Sequence, residues 1–133
     1  MTQTARGTFV VSLEPLAFEG ADPEFKLARM SIDKQISGDL TASTMGQMLS
    51  AMTGTNGSAG YVALERVAGA LNGRRGSFVL QHTGTMNRGA PSLVVTVVPD
   101  SGTEELVGLE GEFTINVEEG NHSYEFTYRL PAQ

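Results

Sequence analysis

One stretch decides the fold: residues 61–86 read YVALERVAGALNGRRGSFVLQHTGTM. Its two halves are rich in β-branched and aromatic residues, which favour strands. Asn72-Gly73 between them suits a type I′ turn, because both central residues of that turn need φ > 0. The stretch therefore predicts a β-hairpin with strands at Tyr61–Leu71 and Arg75–Met86.

Strand periodicity continues on both sides of this hairpin, since apolar and polar residues alternate with the period of a pleated strand. Pro and Gly clusters mark a loop at 15–24, a bend at Gly38-Asp39 and a Gly-punctuated connection at 99–111. The remaining predicted strands are residues 8–13, 25–37, 40–51, 92–98, 113–117 and 122–130.

The third of these strands has an alternative. Met45, Met48, Leu49 and Met52 also have the i, i+3, i+4, i+7 spacing of a helix face. Gly46 and the surrounding Thr and Ser disfavour a helix, and no capping box precedes the segment. A strand is the favoured interpretation, and a helix over 44–52 stays open.

Eight consecutive strands joined by short turns predict an all-β chain. Closing the sheet removes its two exposed edges, so we predict a closed eight-stranded up-and-down barrel. A two-sheet sandwich is the alternative. We find no internal repeat and no linker, so residues 1–133 are predicted to form a single domain.

Composition narrows the range of partners. The formal net charge is −6, from 9 Lys and Arg against 15 Asp and Glu, and such a surface is repelled by nucleic acid and anionic membranes. The absence of Cys excludes disulfides and Cys-based metal sites and fits a reducing cytoplasm. No stretch approaches the ~18 apolar residues of a membrane helix, and residues 1–7 show no secretory signal. We expect a cytoplasmic protein without metal or cofactor.

Strands four to six are apolar on both faces. A strand of this kind is usually buried on both sides, and the sequence offers no amphipathic helix as a cover. We therefore predict a homo-oligomer that forms through strands four to six. The alternative cover is the loop at 15–24, or the Met-rich third segment, folded over the same face.

The hairpin also brings an acid and an imidazole together. If Leu71 faces Arg74, then Glu65 faces Leu80 and Ala63 faces His82, which places Glu65 and His82 diagonally on one face. Tyr61, Phe78 and Leu80 surround the pair. A four-residue loop would pair Glu65 with His82 directly, whereas a three-residue loop would put them on opposite faces.

A carboxylate and an imidazole inside a barrel are candidates for general acid–base catalysis. Glu65 and His82 are therefore the candidate catalytic residues, with Tyr61, Phe78 and Leu80 as candidate ligand contacts. From the sequence alone we favour a structural ion pair at the surface or an interface. The interior would then be the opposite face, formed by Val62, Leu64, Arg66, Val79 and Gln81.

Tyr124 and Tyr128 lie on the expected inner face of strand eight, where they are further candidate ligand contacts. The competing interpretation is that both are core residues with satisfied hydroxyls. An eight-stranded barrel is either filled by side chains or holds one small ligand. Nine Phe and Tyr among many small residues favour a cavity.

Several segments carry a resemblance: GDL at Gly38–Leu40, GSAGYVALERV at Gly57–Val67, GSFVLQH at Gly76–His82, VPDSGT at Val98–Thr103 and HSY at His122–Tyr124. Together they resemble an uncharacterised bacterial domain-of-unknown-function family whose fold is grouped with the allene oxide cyclase-like barrels. The resemblance implies an eight-stranded barrel. Allene oxide cyclases bind an unsaturated fatty-acid epoxide and steer its cyclisation, but none of their catalytic residues aligns onto this chain.

Two functions are compatible with these observations. The first is a barrel that binds a small hydrophobic molecule, whose catalytic form would be an isomerase or cyclase acting by steering and proton transfer. The second is a non-catalytic oligomeric interaction or storage protein with a filled barrel. One fold supports many functions; we favour the first of the two, and the second is the alternative.

Overall fold

A computed structural model describes residues 2–20 and 25–131 of the chain. Within this part, eight antiparallel strands follow one another around a closed barrel, β1 to β8, and β8 pairs with β1. The all-β, up-and-down barrel predicted from the sequence is therefore confirmed. The strands are β1 (Gln3–Leu16), β2 (Ala28–Gly38), β3 (Leu40–Met52), β4 (Ala59–Leu71), β5 (Arg74–Asn87), β6 (Ala90–Val97), β7 (Glu110–Glu118) and β8 (Asn121–Arg129).

The hairpin of β4 and β5 has the predicted register. Leu71 pairs with Arg74, and the ladder continues to Glu65↔Leu80 and Ala63↔His82. Asn72 (φ 47°) and Gly73 (φ 85°) both occupy the left-handed region, as a type I′ turn requires. A two-residue turn thus fixes which side chains share a face along the whole hairpin.

Some boundaries differ from the prediction. β1 continues to Leu16, and β2 begins at Ala28 rather than Phe25; residues 21–24 of the predicted loop lie outside the described residues. The third segment is a strand throughout, because β2 and β4 both pair with it and satisfy its backbone. A short 3₁₀ turn, Glu104–Leu106, was not predicted, and it places Leu106 in the core.

One half of the barrel, towards the Asn72-Gly73 turn, is filled by side chains. Phe113 stacks on Tyr124 and Phe126 stacks on Tyr128, with ring centroids 5.0 and 5.2 Å apart. The Tyr124 hydroxyl accepts a hydrogen bond from the Leu40 N–H (3.0 Å) and lies 2.9 Å from the Ser37 carbonyl oxygen. Large aromatic side chains with satisfied hydroxyls make this half solid.

We expect Gly73→Ala to destabilise the fold by about 1–2 kcal/mol. A Cβ at this position would meet no neighbouring atom, so the cost arises from the left-handed backbone conformation, which L residues adopt unfavourably. The measurement is urea unfolding of both proteins. A loss below about 0.3 kcal/mol would show that the turn does not hold the hairpin in this conformation.

Candidate functional site

The inward register of β4 and β5 places Glu65 and His82 inside the barrel. Glu65 is fully buried, and His82 is 4 % exposed. Val62 and Leu64, on the opposite face of β4, are 50 % and 57 % exposed. The interpretation that we favoured from the sequence, with the opposite face inside, is therefore wrong. A carboxylate is tolerated in the interior because the structure supplies it with a cation.

That cation is Lys34 on β2. Its Nζ lies 3.1 Å from Glu65 Oε1, and His82 Nε2 lies 2.9 Å from the same oxygen. Thr44 on β3 donates its hydroxyl to Glu65 Oε2 at 2.6 Å. The ammonium group also lies 4.8 Å from the ring centroid of Phe9, a distance at which a cation is attracted to the ring. Four strands thus meet at one carboxylate.

Sequence reasoning missed Lys34 and Thr44. One signal was available for Lys34, because it lies between Ile32 and Ile36 on the same face of β2. A charged residue at an inward position of a strand indicates a buried partner. That the partner is Glu65 follows from the strand order and register, which place β2 and β4 on either side of β3.

Two opposing effects set the charge state of Glu65. Burial is the largest of them and raises the pKa of the carboxyl group. The hydrogen bond from His82, the charge of Lys34, the hydrogen bond from Thr44 and the charge of His82 together outweigh it, and they lower the pKa from 4.5 to about 2. Glu65 is therefore a carboxylate at neutral pH, and it is a weak base.

The imidazole of His82 is held from one side. Its Nε2 contacts Glu65, and no hydrogen bond to Nδ1 is found among residues 2–20 and 25–131. In the neutral tautomer that donates from Nε2 to Glu65, the lone pair lies on Nδ1. A carboxylate that fixes the tautomer and orientation of an imidazole is the arrangement of a general-base dyad.

The other end of the barrel contains a cavity of about 410 Å³ that opens to solvent. Inward-facing side chains of β3 to β6 contribute Met48, Ser50, Tyr61, Met86 and Leu93 to its lining. We call this space the mouth cavity. It is mainly apolar, and its size falls within the range of small-molecule sites.

Tyr61 separates the mouth cavity from the charged cluster. On the inner face of β4, Tyr61, Ala63 and Glu65 follow one another towards the barrel centre. The Tyr61 ring packs against Gly84, the residue across from it on β5, where any side chain would collide with the ring. Burial, followed by the charge of Glu65, raises the pKa of the Tyr61 hydroxyl, so the phenol stays protonated at neutral pH.

The other predicted ligand contacts lie elsewhere. Phe78, Leu80, Tyr124 and Tyr128 are all buried in the hydrophobic core. The Tyr128 hydroxyl accepts a hydrogen bond from the Asn72 side chain at 2.6 Å. The structure thus brings Tyr61 to a cavity wall and places the other four in the filled part. Their role in ligand binding stays a prediction.

Comparison with known proteins identifies the family. The model of a family described as a protein of unknown function (DUF3224) matches residues 5–128. The chain belongs to this family. A crystal structure of a DUF3224 protein of unknown function from Shewanella oneidensis MR-1 is similar to it, with 46 % sequence identity, a TM-score of 0.95 and complete coverage of both chains. No curated protein matches.

Metal sites and membrane-spanning helices would also bear on the function of the DUF3224 barrel. Among the described residues there is no group of three or more His, Cys, Asp or Glu side chains placed to hold a metal ion. No helix in that part of the chain is both long and apolar enough to cross a membrane. The buried cluster around Glu65 and the mouth cavity are the two candidate functional features of the barrel interior.

We expect Glu65→Gln to destabilise the barrel by about 3–5 kcal/mol at pH 7, because it leaves the Lys34 ammonium buried without a counter-charge. The pH dependence should change as well. A carboxyl whose pKa is depressed on folding stabilises the protein above its unfolded pKa, and this stabilisation is lost as the pH falls from 4.5 to about 2. This pH-dependent contribution to the free energy of unfolding, about 3 kcal/mol, should be missing in Glu65→Gln.

The measurement is urea unfolding from pH 7 to pH 2. Glu125→Gln is the matched control, since Glu125 pairs with Arg6 at 3.1 Å on the surface, and we expect it to cost less than about 1 kcal/mol. If the two variants are equally stable, the buried cluster does not contribute to stability.

Proposed function

We propose that the protein binds a small, largely apolar molecule in the mouth cavity. The observation that carries the proposal is an open, mainly apolar space of about 410 Å³ at one end of a barrel whose other half is filled. Two inward-pointing apolar side chains at this end, Met86 and Leu93, are 41 % and 42 % exposed. A bound molecule would contact these side chains and exclude water from them.

The polar groups of the lining limit the chemistry of this molecule. Tyr61 and Ser50 contribute hydroxyls, and the phenol is a hydrogen-bond donor because its raised pKa keeps it protonated. Charged side chains are absent from the described lining of the mouth cavity. We infer an uncharged ligand with a hydrogen-bond acceptor, such as a carbonyl or ether oxygen, next to an apolar body.

The catalytic form of the proposal is an isomerase or cyclase. Of the two residues that the sequence nominated, His82 is the better proton acceptor, since Glu65 already accepts hydrogen bonds on both oxygens and has a depressed pKa. Glu65 would then position the imidazole. Movement of the Tyr61 ring away from Gly84 would be needed to bring a ligand to His82.

A second candidate function is a non-catalytic interaction or storage protein. Two observations favour it: the aromatic residues that fill half of the barrel, and the apolar side chains exposed on its outer wall. In this case the cluster around Glu65 is a structural ion network. The first proposed function requires a small molecule bound in the mouth cavity, whereas the interaction or storage function does not.

Native mass spectrometry of freshly purified protein tests the binding proposal. We expect a stoichiometric small-molecule adduct that is lost on denaturation, because a site of this size buries most of such a ligand. Protein stripped of the adduct should bind an uncharged apolar fluorescent probe, N-phenyl-1-naphthylamine. Protein that shows neither adduct nor probe binding would favour the interaction or storage function.

Paired variants assign binding to the mouth cavity. Ser50→Phe fills the cavity, and we expect it to weaken probe binding at least about tenfold, equivalent to 1.4 kcal/mol. Thr114→Phe is the matched control, because Thr114 is exposed on the polar outer face of β7. Equal affinities in both variants would place the probe elsewhere. Probe affinity and adduct retention that are unchanged in both Glu65→Gln and His82→Ala would argue against the catalytic form.

A further inference from the structure

The outer wall of β3 and β4 exposes a continuous apolar surface. Met45 and Leu49 on β3 are 66 % and 45 % exposed, and Val62 and Leu64 on β4 are 50 % and 57 % exposed. Leu49 pairs with Val62 in the ladder. A groove of about 700 Å³ runs along this wall. Exposed apolar side chains that are grouped in one place often mark a protein–protein contact.

The opposite side of the barrel is different. The outward-facing positions of β7 and β8 are mostly polar or charged: Glu110, Glu112, Thr114, Asn116, Glu118, Ser123, Glu125, Thr127 and Arg129. Elsewhere on the outer surface, Val10 on β1 and Val94 on β6 are exposed, whereas β3 and β4 expose four large apolar residues on adjacent strands. We call this side, with the adjoining outward residues of β2 and β5, the apolar wall.

Two opposite charges flank the apolar wall on β2. The Arg29 guanidinium lines the groove, and its Nε is buried with no hydrogen-bond partner among residues 2–20 and 25–131. Asp33 is exposed, and it makes no ion pair within the same described residues. The Nη1 group of Arg29 donates a hydrogen bond to Gln47 Oε1 on β3 at 3.4 Å, which holds the guanidinium against the groove, where its charge can meet a carboxylate of another molecule.

Arg29 and Asp33 lie at equal distances on opposite sides of a row of residues that crosses strands β2 to β5. Ser31, Gln47, Leu64 and Gln81 lie side by side across β2 to β5. Arg29 and Asp33 lie two residues to either side of Ser31, about 7 Å from the row at roughly 3.4 Å per residue. In the same way, Leu49 and Met45 lie two residues to either side of Gln47.

We propose that the apolar wall binds a second copy of this chain, face to face, about a two-fold axis along the row Ser31–Gln47–Leu64–Gln81. The rotation brings Arg29 of each copy opposite Asp33 of the partner subunit. It also packs Leu49 of each copy against Met45 of the partner subunit.

The remaining residues of the apolar wall are compatible with this arrangement. Val62 comes opposite Arg66 of the partner subunit. The Arg66 guanidinium contacts Ser77 on its own barrel at 3.3 Å, which leaves its methylene groups to cover an apolar neighbour. The central row carries no charge, so the net charge of −6 does not place like charges at the centre of the contact. The proposed surface therefore lies on β2 to β5, whereas the sequence predicted an oligomer through strands four to six.

Charge reversal with measurement of mass in solution tests the proposal. By sedimentation equilibrium at micromolar concentrations we expect the wild-type chain to be a dimer. Arg29→Asp and Asp33→Arg each place like charges opposite one another, and each should weaken the dimer at least about tenfold. The double variant Arg29→Asp/Asp33→Arg restores opposite charges and should recover at least half of the dimer under conditions where each single variant is monomeric.

A matched pair of Val variants locates the surface. Val62→Glu should give a folded monomer, whereas Val107→Glu should remain a dimer, since Val107 is 62 % exposed directly after the 3₁₀ turn Glu104–Leu106 and lies outside the apolar wall. A monomeric wild type, a mass of three copies, or a double variant as weak as the single ones would overturn the proposal. So would equal effects of the two Val variants. None of these measurements depends on a ligand in the mouth cavity.

Discussion

Glu65 lies at the centre of the barrel with no exposed surface, and its negative charge persists there because Lys34 and His82 reach the same oxygen. An isolated carboxylate in this position would cost many kcal/mol of lost hydration. The ion network repays the cost only when β2, β3, β4 and β5 are all in register. The pairing of these four strands and the ionised state of Glu65 therefore depend on each other.

The network also divides the barrel into two parts. On one side, aromatic rings and aliphatic side chains fill the interior to the density of an ordinary core. On the other side, Tyr61 covers the charged layer, and an open cavity begins. The packed half of the barrel and the charged cluster hold the residues at the inner end of the cavity in fixed positions. Preorganised residues of this kind favour the binding of small molecules.

The two proposals concern opposite faces of the same hairpin. Inward residues of β4 and β5 hold the charged layer and one wall of the mouth cavity, and outward residues of β4 form the apolar wall. Strands that are apolar on both faces usually lie between two layers. Here the barrel interior is the first layer, and the proposed second copy supplies the other.

The sequence by itself determined the strand order, the Asn72-Gly73 turn and the diagonal relation of Glu65 to His82. These depend on alternation with period two and on local turn chemistry, both of which are visible in consecutive residues. Only the tertiary structure decided which face is inside and which residue neutralises Glu65. Lys34 is 31 residues away from Glu65 in the chain and contacts it at 3.1 Å across β3. The energy of a buried charge depends on all of its neighbours at once, and closure of the sheet brings those neighbours together.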